Sequence, residues 1–308
     1  APCLPKDGAR LIAEASARGG AEAAAVLAVL YAVGASPRHT VEDALASLTA
    51  AAERGWAQAR AQLTALAGTP SLAAGPEGSK EPESPLDLQD PGVWPRLARS
   101  IDLAAWRKPQ AATDLSATPL IRCYPEFASP AVCRWAIERA GGRLSRALVY
   151  EALSKEVTVR PTRTNTAAPF NLLETDVVLV LLQLKMAACL ELPLRQFEAM
   201  TVLHYDEGEE ITDHYDFVDP NIPGYAQELA QRGDRIVTFL VYLNEDYGGG
   251  ETAFPRLQIE HKGRRGEGLY FVNASEGGAD VRTLHAGRSP RAGEKWIVSQ
   301  FVRNRAIL

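Results

Sequence analysis

The sequence predicts an α+β protein: an all-α helical segment in front, then a sandwich or jelly roll of antiparallel strands with supporting helices. Three observations carry this. Residues 7–68 read as helices, prolines and glycines break the pattern from Thr69 to Gly92, and the second half holds β-rich runs separated by Gly, Pro and Asn signals. At 308 residues the chain has length for about two folded units. With 46% hydrophobic and 23% charged residues it is neither a disordered chain nor a membrane span. A net charge of −5 and a pI of 5.7 argue against a nucleic-acid partner. The longest aliphatic run, Val177 to Leu182, is far short of the roughly 18 residues that cross a bilayer, so no membrane association is expected.

Residues 1–68 form the first element. Arg18-Gly19-Gly20-Ala21-Glu22-Ala23 aligns with Arg54-Gly55-Trp56-Ala57-Gln58-Ala59 at an offset of 36, and Leu27 and Leu30 fall on Leu63 and Leu66. A period in the mid-thirties is one helix-turn-helix unit, with Gly ending one helix and Ala allowing close packing. Ala25 to Gly34 and Ala44 to Gly55 resemble Sel-one-like repeats, relatives of the tetratricopeptide repeat. About one and a half repeats are present, which leaves two readings open: a helical cap on the next domain, or a surface that binds a protein partner. Residues 69–92, with Pro70, Pro76, Pro82, Pro85 and Pro91, read as a linker. Residues 93–118 read as a connecting helix, amphipathic over Val93–Trp106, and 119–308 as a second domain of mixed helices and strands. There, helices are expected near Pro130–Ala140 and Leu172–Leu190, and strands over Phe197–Tyr205, Arg235–Asn244, Gly268–Asn273, Asp280–His285 and Lys295–Arg303.

Two of the five histidines carry the chemistry. In an extended segment, residues i and i+2 point the same way, so His214-x-Asp216 aims imidazole and carboxylate at one point. His285, at the end of a later run, would be returned by a sheet that curls on itself. Two His and one carboxylate form the facial triad that binds non-haem Fe(II) and leaves positions open. Ten residues on, after a Gly- and Pro-bearing turn, Lys295 places a cation where a dicarboxylate chelating that metal would need its far end held. Ser299 shares the strand face of Lys295. His204 faces away from Tyr205, His261 sits in the charged stretch Glu260–Arg265, and His39 lies in the repeat turn; these three are read as structural or solvated.

With these pieces, the sequence resembles the Fe(II)/2-oxoglutarate dioxygenases of the prolyl 4-hydroxylase-like branch. The matching segments are Tyr205-Asp206-x-Gly208, His214-x-Asp216-Phe217, Arg235 to Asn244, Gly249 to Pro255, and His285 to Trp296. Upstream, Phe127 to Pro130 with Cys133, and Arg163-Thr164-Asn165, resemble the family's domain start and its Arg-Thr-Ser turn. The resemblance implies a double-stranded β-helix (jelly-roll) core and the hydroxylation of an unactivated C–H. It implies Fe(II) on His214, Asp216 and His285, with 2-oxoglutarate and O2 as cosubstrates, and leaves room for ascorbate. Lys295 would pair with the distal carboxylate, with Tyr205, Thr238, Tyr242 and Ser299 beside it. Related halogenases lack the carboxylate that Asp216 supplies, which favours hydroxylation.

Substrate residues by resemblance are Arg235 and Arg163. Arg235 has the opposite strand parity to Thr238 and Tyr242 and reaches the site only if its strand begins with a bend. Ile211 stands where plant and algal prolyl 4-hydroxylases have Tyr, and Phe301-Val302-Arg303 replaces their Trp-Ile-His. An Arg at 303 predicts a charged pocket edge suited to an acidic substrate. Phe217–Gly233, with its Gly and Pro residues, reads as a lid. Three function classes follow: a hydroxylase of a prolyl or other residue in a peptide or protein, a hydroxylase of a free amino acid or small metabolite, and a metal-binding scaffold. Four scattered cysteines, Cys3, Cys123, Cys133 and Cys189, with no Cys-x-x-Cys pair, suggest neither a disulfide framework nor a structural zinc site. Ala1 to Asp7 lacks the features of a signal peptide, and the few scattered cysteines make a reducing cytoplasm the expected compartment. Arg exceeds Lys by 26 to 7, a composition typical of a GC-rich bacterial gene.

Overall fold

Two glycines 36 positions apart, Gly19 and Gly55, adopt φ of +95° and +93° with nothing near a would-be Cβ, so backbone conformation alone calls for glycine there. In this computed structural model they reverse the chain between α1 (Lys6–Ala17) and α2 (Ala21–Ala32), and between α3 (Val41–Glu53) and α4 (Ala57–Ala67). The structure describes residues 6–68, 90, 92–147, 149–151, 156–158, 162–219, 221–222, 225–275 and 278–307. The expected linker, apart from Asp90 and Gly92, lies outside the described residues. Thr40 and Asp43 cap α3 reciprocally, and Arg54 reaches back to the carbonyls of Ser16 and Gly20 at 3.1 and 3.3 Å.

These helices belong to a first compact unit, which comprises the chain up to Pro109 and Thr175–Glu191. The stretch read as a connecting helix is broken: α5 (Val93–Ser100) stops, and the Asp102 carboxylate takes the N–H groups of Ala104 and Ala105 to start a short turn. Its last residues, 113–117, form a strand of the second unit instead. The unit is completed by α7 (Val177–Leu190), whose residues Val177–Leu182 are all buried. Asp176 caps its Leu179 N–H, and Gln62 of α4 accepts the Val177 N–H at 3.0 Å. α7 packs against α2, α3 and α4, whereas its sequence position suggested a place in the catalytic domain. A helix apolar all round needs cover on more than one side. Among the described residues no helix is long and apolar enough to cross a membrane.

The second unit, Gln110–Glu174 with Leu192–Leu308, holds the strands, all paired antiparallel. Its larger sheet contains β1 (Thr113–Ala117), β2 (Leu120–Tyr124), β3 (Ser145–Arg146), β6 (Thr166–Phe170), β7 (Met200–Tyr205), β9 (Arg235–Tyr242), β13 (Gly268–Val272) and β18 (Lys295–Arg303). Their spatial order is β1-β2-β13-β9-β18-β7-β6-β3. The smaller sheet contains β8 (Ile211–His214), β11 (Thr252–Phe254), β12 (Ile259–His261) and β16 (His285–Gly287), ordered β12-β11-β16-β8. Three two-stranded ribbons complete it: β4 (Val149–Glu151) with β5 (Glu156–Thr158), β10 (Gly248–Gly249) with β17 (Pro290–Ala292), and β14 (Ala274–Ser275) with β15 (Gly278–Ala279). This is the expected α+β jelly roll.

Alternation places Leu203 and Tyr205, Leu240 and Tyr242, Leu269 and Phe271, and Ile297 in one core cluster with Phe254 of the smaller sheet. The opposite faces of β9 and β13 are also covered: Phe239 is fully buried among Tyr124, Phe127 and Tyr270. Burying one such ring contributes about 1.5–3 kcal/mol. Near these residues, α6 (Pro130–Gly141) starts at a Ser129 cap with Pro at its first position and packs on β6 and β7.

One sequence expectation changes here, and the condition attached to another is met. Asp280–His285 is mostly a turn, because the Asp280 side chain accepts the Arg282 N–H and its carbonyl accepts from Thr283. The second concerns the Arg235 parity. β18 pairs Val302 with Val237 but Arg303 with Arg235, so Ile236 is an extra residue in β9. That bulge re-aims Arg235 to the face of Thr238.

Candidate active site

His214 closes β8 and His285 opens β16, and the two strands pair with these residues directly opposite. The imidazole centroids are 4.2 Å apart. Asp216, two residues past His214, puts Oδ1 3.5 Å from His214 Nε2 and Oδ2 3.3 Å from His285 Nε2. One donor atom from each residue fits within a 4.8 Å cluster. Backbone carbonyls fix both rings: His214 Nδ1 bonds Thr212 O at 2.9 Å and His285 Nδ1 bonds Thr283 O at 3.0 Å. Each Nδ1 therefore carries a hydrogen, which turns Nε2 of both rings toward the cluster. Burial works against charge on Asp216, but His285 and His214 hold its carboxyl well below the usual range.

Behind the carboxylate runs a short relay that sequence reasoning missed. Asn273 Nδ2 donates to Thr238 Oγ1 at 2.8 Å, and Thr238 Oγ1 donates to Asp216 Oδ2 at 2.6 Å. Thr238, expected beside the cosubstrate, lines the cavity and gives its hydroxyl proton to Asp216. Only the even spacing of Thr238 signalled an inward side chain, and nothing marked Asn273. Phe271 and Phe254 enclose His285, with centroids 4.6 and 5.8 Å from its ring.

The cluster opens onto a cavity of about 1220 Å³. Lys295, Tyr205 and Ser299 line it, as do Thr238, Arg163 and Arg235. Lys295 is fully buried at the start of β18, opposite Tyr205. Its ammonium donates to Gly250 O at 2.7 Å and lies 5.2 Å from the Tyr205 ring centroid and 5.8 Å from that of Tyr242. Burial pulls its pKa down to about 7, against the opposing pull of Glu251. Among the described residues no carboxylate lies within ion-pair distance of it. Tyr242, expected as a cosubstrate residue, does not reach the cavity wall; its hydroxyl donates to Thr252 Oγ1 at 2.8 Å.

At the far end of the same strands, Arg235 donates to both oxygens of Glu198, at 2.8 and 3.0 Å, and stacks 3.9 Å over Phe301. Arg303 corrects the sequence reading. It is fully buried and bonds Glu198 at 2.6 Å, Glu228 at 2.6 Å and the Gly233 carbonyl at 2.5 Å. Glu228 lies on α8 (Tyr225–Arg232), within the stretch read as a lid. Strand parity located Arg303 correctly but could not reveal the residues folded over it, so Arg303 is no pocket edge. Arg163 lines the cavity with its Nε 3.3 Å from Asn165 Oδ1. Of the other histidines, His204 bonds Glu294 at 2.8 Å and His39 stacks on Tyr31.

The chain is similar in sequence to known proteins. Residues 200–303 match the model of the 2OG-Fe(II) oxygenase superfamily. Probable prolyl 4-hydroxylase 6 of Arabidopsis thaliana is 31% identical over 220 residues, 65% of this chain and 74% of the relative. Probable prolyl 4-hydroxylase 7 of the same plant is 29% identical over 213 residues, 63% of this chain and 66% of the relative. Among solved structures, the viral collagen prolyl hydroxylase of Paramecium Bursaria Chlorella virus-1, a 2OG complex, aligns over 59% of this chain and 95% of its own, with 26% identity and a TM-score of 0.46. The chain belongs to the 2OG-Fe(II) oxygenase superfamily, a class of dioxygenases, and is a homologue of the prolyl 4-hydroxylases.

Proposed function

We propose that this chain is an Fe(II)- and 2-oxoglutarate-dependent hydroxylase acting on a prolyl or other residue within a peptide or protein. The convergence of His214, Asp216 and His285 on a cavity that also contains a buried, carboxylate-free Lys295 carries this reading. Two imidazole nitrogens and one ionised carboxylate suit Fe(II), and three ligands on one side leave room for a cosubstrate. Bound there, the metal supplies oxygen activation coupled to the oxidation of 2-oxoglutarate to succinate and CO2.

The protein's part is positioning. Lys295 holds the far carboxylate of the cosubstrate by a charge-assisted bond, with Tyr205 and Ser299 beside it. Thr238, itself held by Asn273, fixes the rotamer of Asp216 by donating a hydrogen bond to the oxygen that also faces His285. Arg235, clamped by Glu198 and stacked on Phe301, offers a rigid planar surface to substrate, with Arg163 a second cation on the cavity wall. The cavity exceeds the roughly 300–1,000 Å³ typical of small-ligand sites, which supports an extended peptide over a free amino acid.

The test is succinate formation from 2-oxoglutarate with Fe(II) and ascorbate, combined with mass analysis of peptides and small metabolites for an added oxygen. Turnover with a peptide that His214→Ala and Asp216→Ala each abolish is expected. Oxygen insertion into a free metabolite, with every peptide refused, would overturn the substrate reading; no turnover with either class would overturn the enzyme reading.

A further inference from the structure

β2, β12 and the residue entering β13 bring together three side chains that have no part in the proposed reaction. Cys123 Sγ lies 3.8 Å from His261 Nε2, and His261 Nε2 lies 2.5 Å from Glu267 Oε1. All three donor atoms fall within 4.8 Å of one another. Cys123 is buried, while the His261 and Glu267 side chains keep 17% and 13% of their surface, enough to admit an ion from solvent. We propose that Cys123, His261 and Glu267 form a second metal site, for a thiophilic divalent cation of the zinc class, separate from the His214–Asp216–His285 cluster.

The donor set favours such a cation. Thiolate, imidazole and carboxylate bind zinc at about 2.3, 2.0–2.1 and 2.0–2.2 Å, which in a tetrahedron places ligand atoms roughly 3.3–3.6 Å apart. Cys123 and His261 already stand near that separation. His261 and Glu267 must open by less than ~1 Å, within reach of a rotamer adjustment in a partly exposed glutamate. In the metal-free protein burial and the neighbouring Glu267 push the Cys123 thiol up to about 12, so it keeps its proton. Binding exchanges that proton for the metal: the S–H bond breaks, an S–metal bond forms, and one proton leaves to solvent.

The position gives the site a consequence. Cys123 and Glu267 belong to the larger sheet and its approach, and His261 to the edge strand of the smaller one, so a shared ion would clasp the two layers. His261 pairs across from Thr252, which accepts the Tyr242 hydroxyl, and the Tyr242 ring centroid is 5.7 Å from that of His261. The clasp therefore braces the tyrosine that packs beside Lys295.

Cobalt(II) distinguishes this site from the triad, because only a thiolate ligand gives a strong near-ultraviolet charge-transfer band. The full chain, stripped of metal, is titrated with Co²⁺ and then Zn²⁺. The band is expected in wild type and in a His214→Ala/Asp216→Ala double variant, and should be lost in Cys123→Ser. His261→Gln and Glu267→Gln should each weaken Zn²⁺ binding at this site by at least ~10-fold. Absence of the band in wild type, its persistence in Cys123→Ser, or unchanged Zn²⁺ affinity in both His261→Gln and Glu267→Gln overturns the proposal. Circular dichroism of each variant confirms folding, and if Cys123→Ser fails to fold, the other two variants decide.

Discussion

Strand β18 begins and ends with a fully buried cation, and the two are treated in opposite ways. Arg303 is matched by Glu198, Glu228 and a carbonyl, and Arg235 across the ladder shares Glu198 with it. Lys295 has one carbonyl and two aromatic rings. Burying an ammonium without a counter-charge is unfavourable unless something else supplies that charge. The paired end is self-sufficient and holds the fold together, whereas the unpaired end, under the proposed function, would take its counter-charge from the cosubstrate. Buried charge alone therefore does not mark a binding residue; lack of a partner does.

Substitutions at the two ends should separate stability from binding. Arg303→Met leaves Glu228 with only the more distant Arg232, at 3.9 Å, and Glu198 with one cation in place of two, and should cost about 3 kcal/mol in urea unfolding, with the KM for 2-oxoglutarate unchanged. A tenfold rise in that KM at full stability would overturn the assignment of Arg303 to the scaffold. Lys295→Met should raise the KM for 2-oxoglutarate by ~10–100-fold while leaving the cosubstrate-free protein as stable or more so. Unfolding curves and cosubstrate kinetics on the same two proteins make the contrast direct. Between the ends, Thr238→Val removes the hydroxyl that fixes Asp216 and should weaken Fe(II) binding about 10-fold, measured by metal competition, with little change in Tm.

The same lysine also makes binding depend on pH. Because burial lowers the Lys295 pKa to about 7, raising pH through that value discharges the ammonium, and 2-oxoglutarate affinity should fall by up to ~10-fold per unit above it. Between about 7 and the ordinary lysine value the unfolded chain binds a proton that the folded one lacks, so this group makes stability rise with pH across that window. Lys295→Met should remove both slopes, as calorimetry and binding titrations at several pH values would record.

Local spacing made the near contacts legible. His214 and Asp216 are two residues apart, and Lys295 and Ser299 share a strand face, so alternation was enough to bring them to one side. The need for a bend before Thr238 was also readable, and the extra residue Ile236 supplies it. Pairings between distant segments were not readable. Glu198 and Glu228 lie 105 and 75 positions before Arg303, and Cys123 lies 138 before His261, whose charged neighbours suggested a solvated loop. Asp280–His285 misled for a local reason: its alternation fits a strand, but the Asp280 side chain offers the backbone a competing turn.

Helix α7 has a consequence for the order in which the protein can be made. α1 to α4 leave the ribosome early, but the helix that packs on three of them is synthesised well over a hundred residues later. At about 5–20 residues per second, the N-terminal helices wait many seconds with apolar surface uncovered. During that interval they are natural clients for a holding chaperone. A stalled or truncated chain ending before Val177 would be prone to aggregate, although its four N-terminal helices are complete.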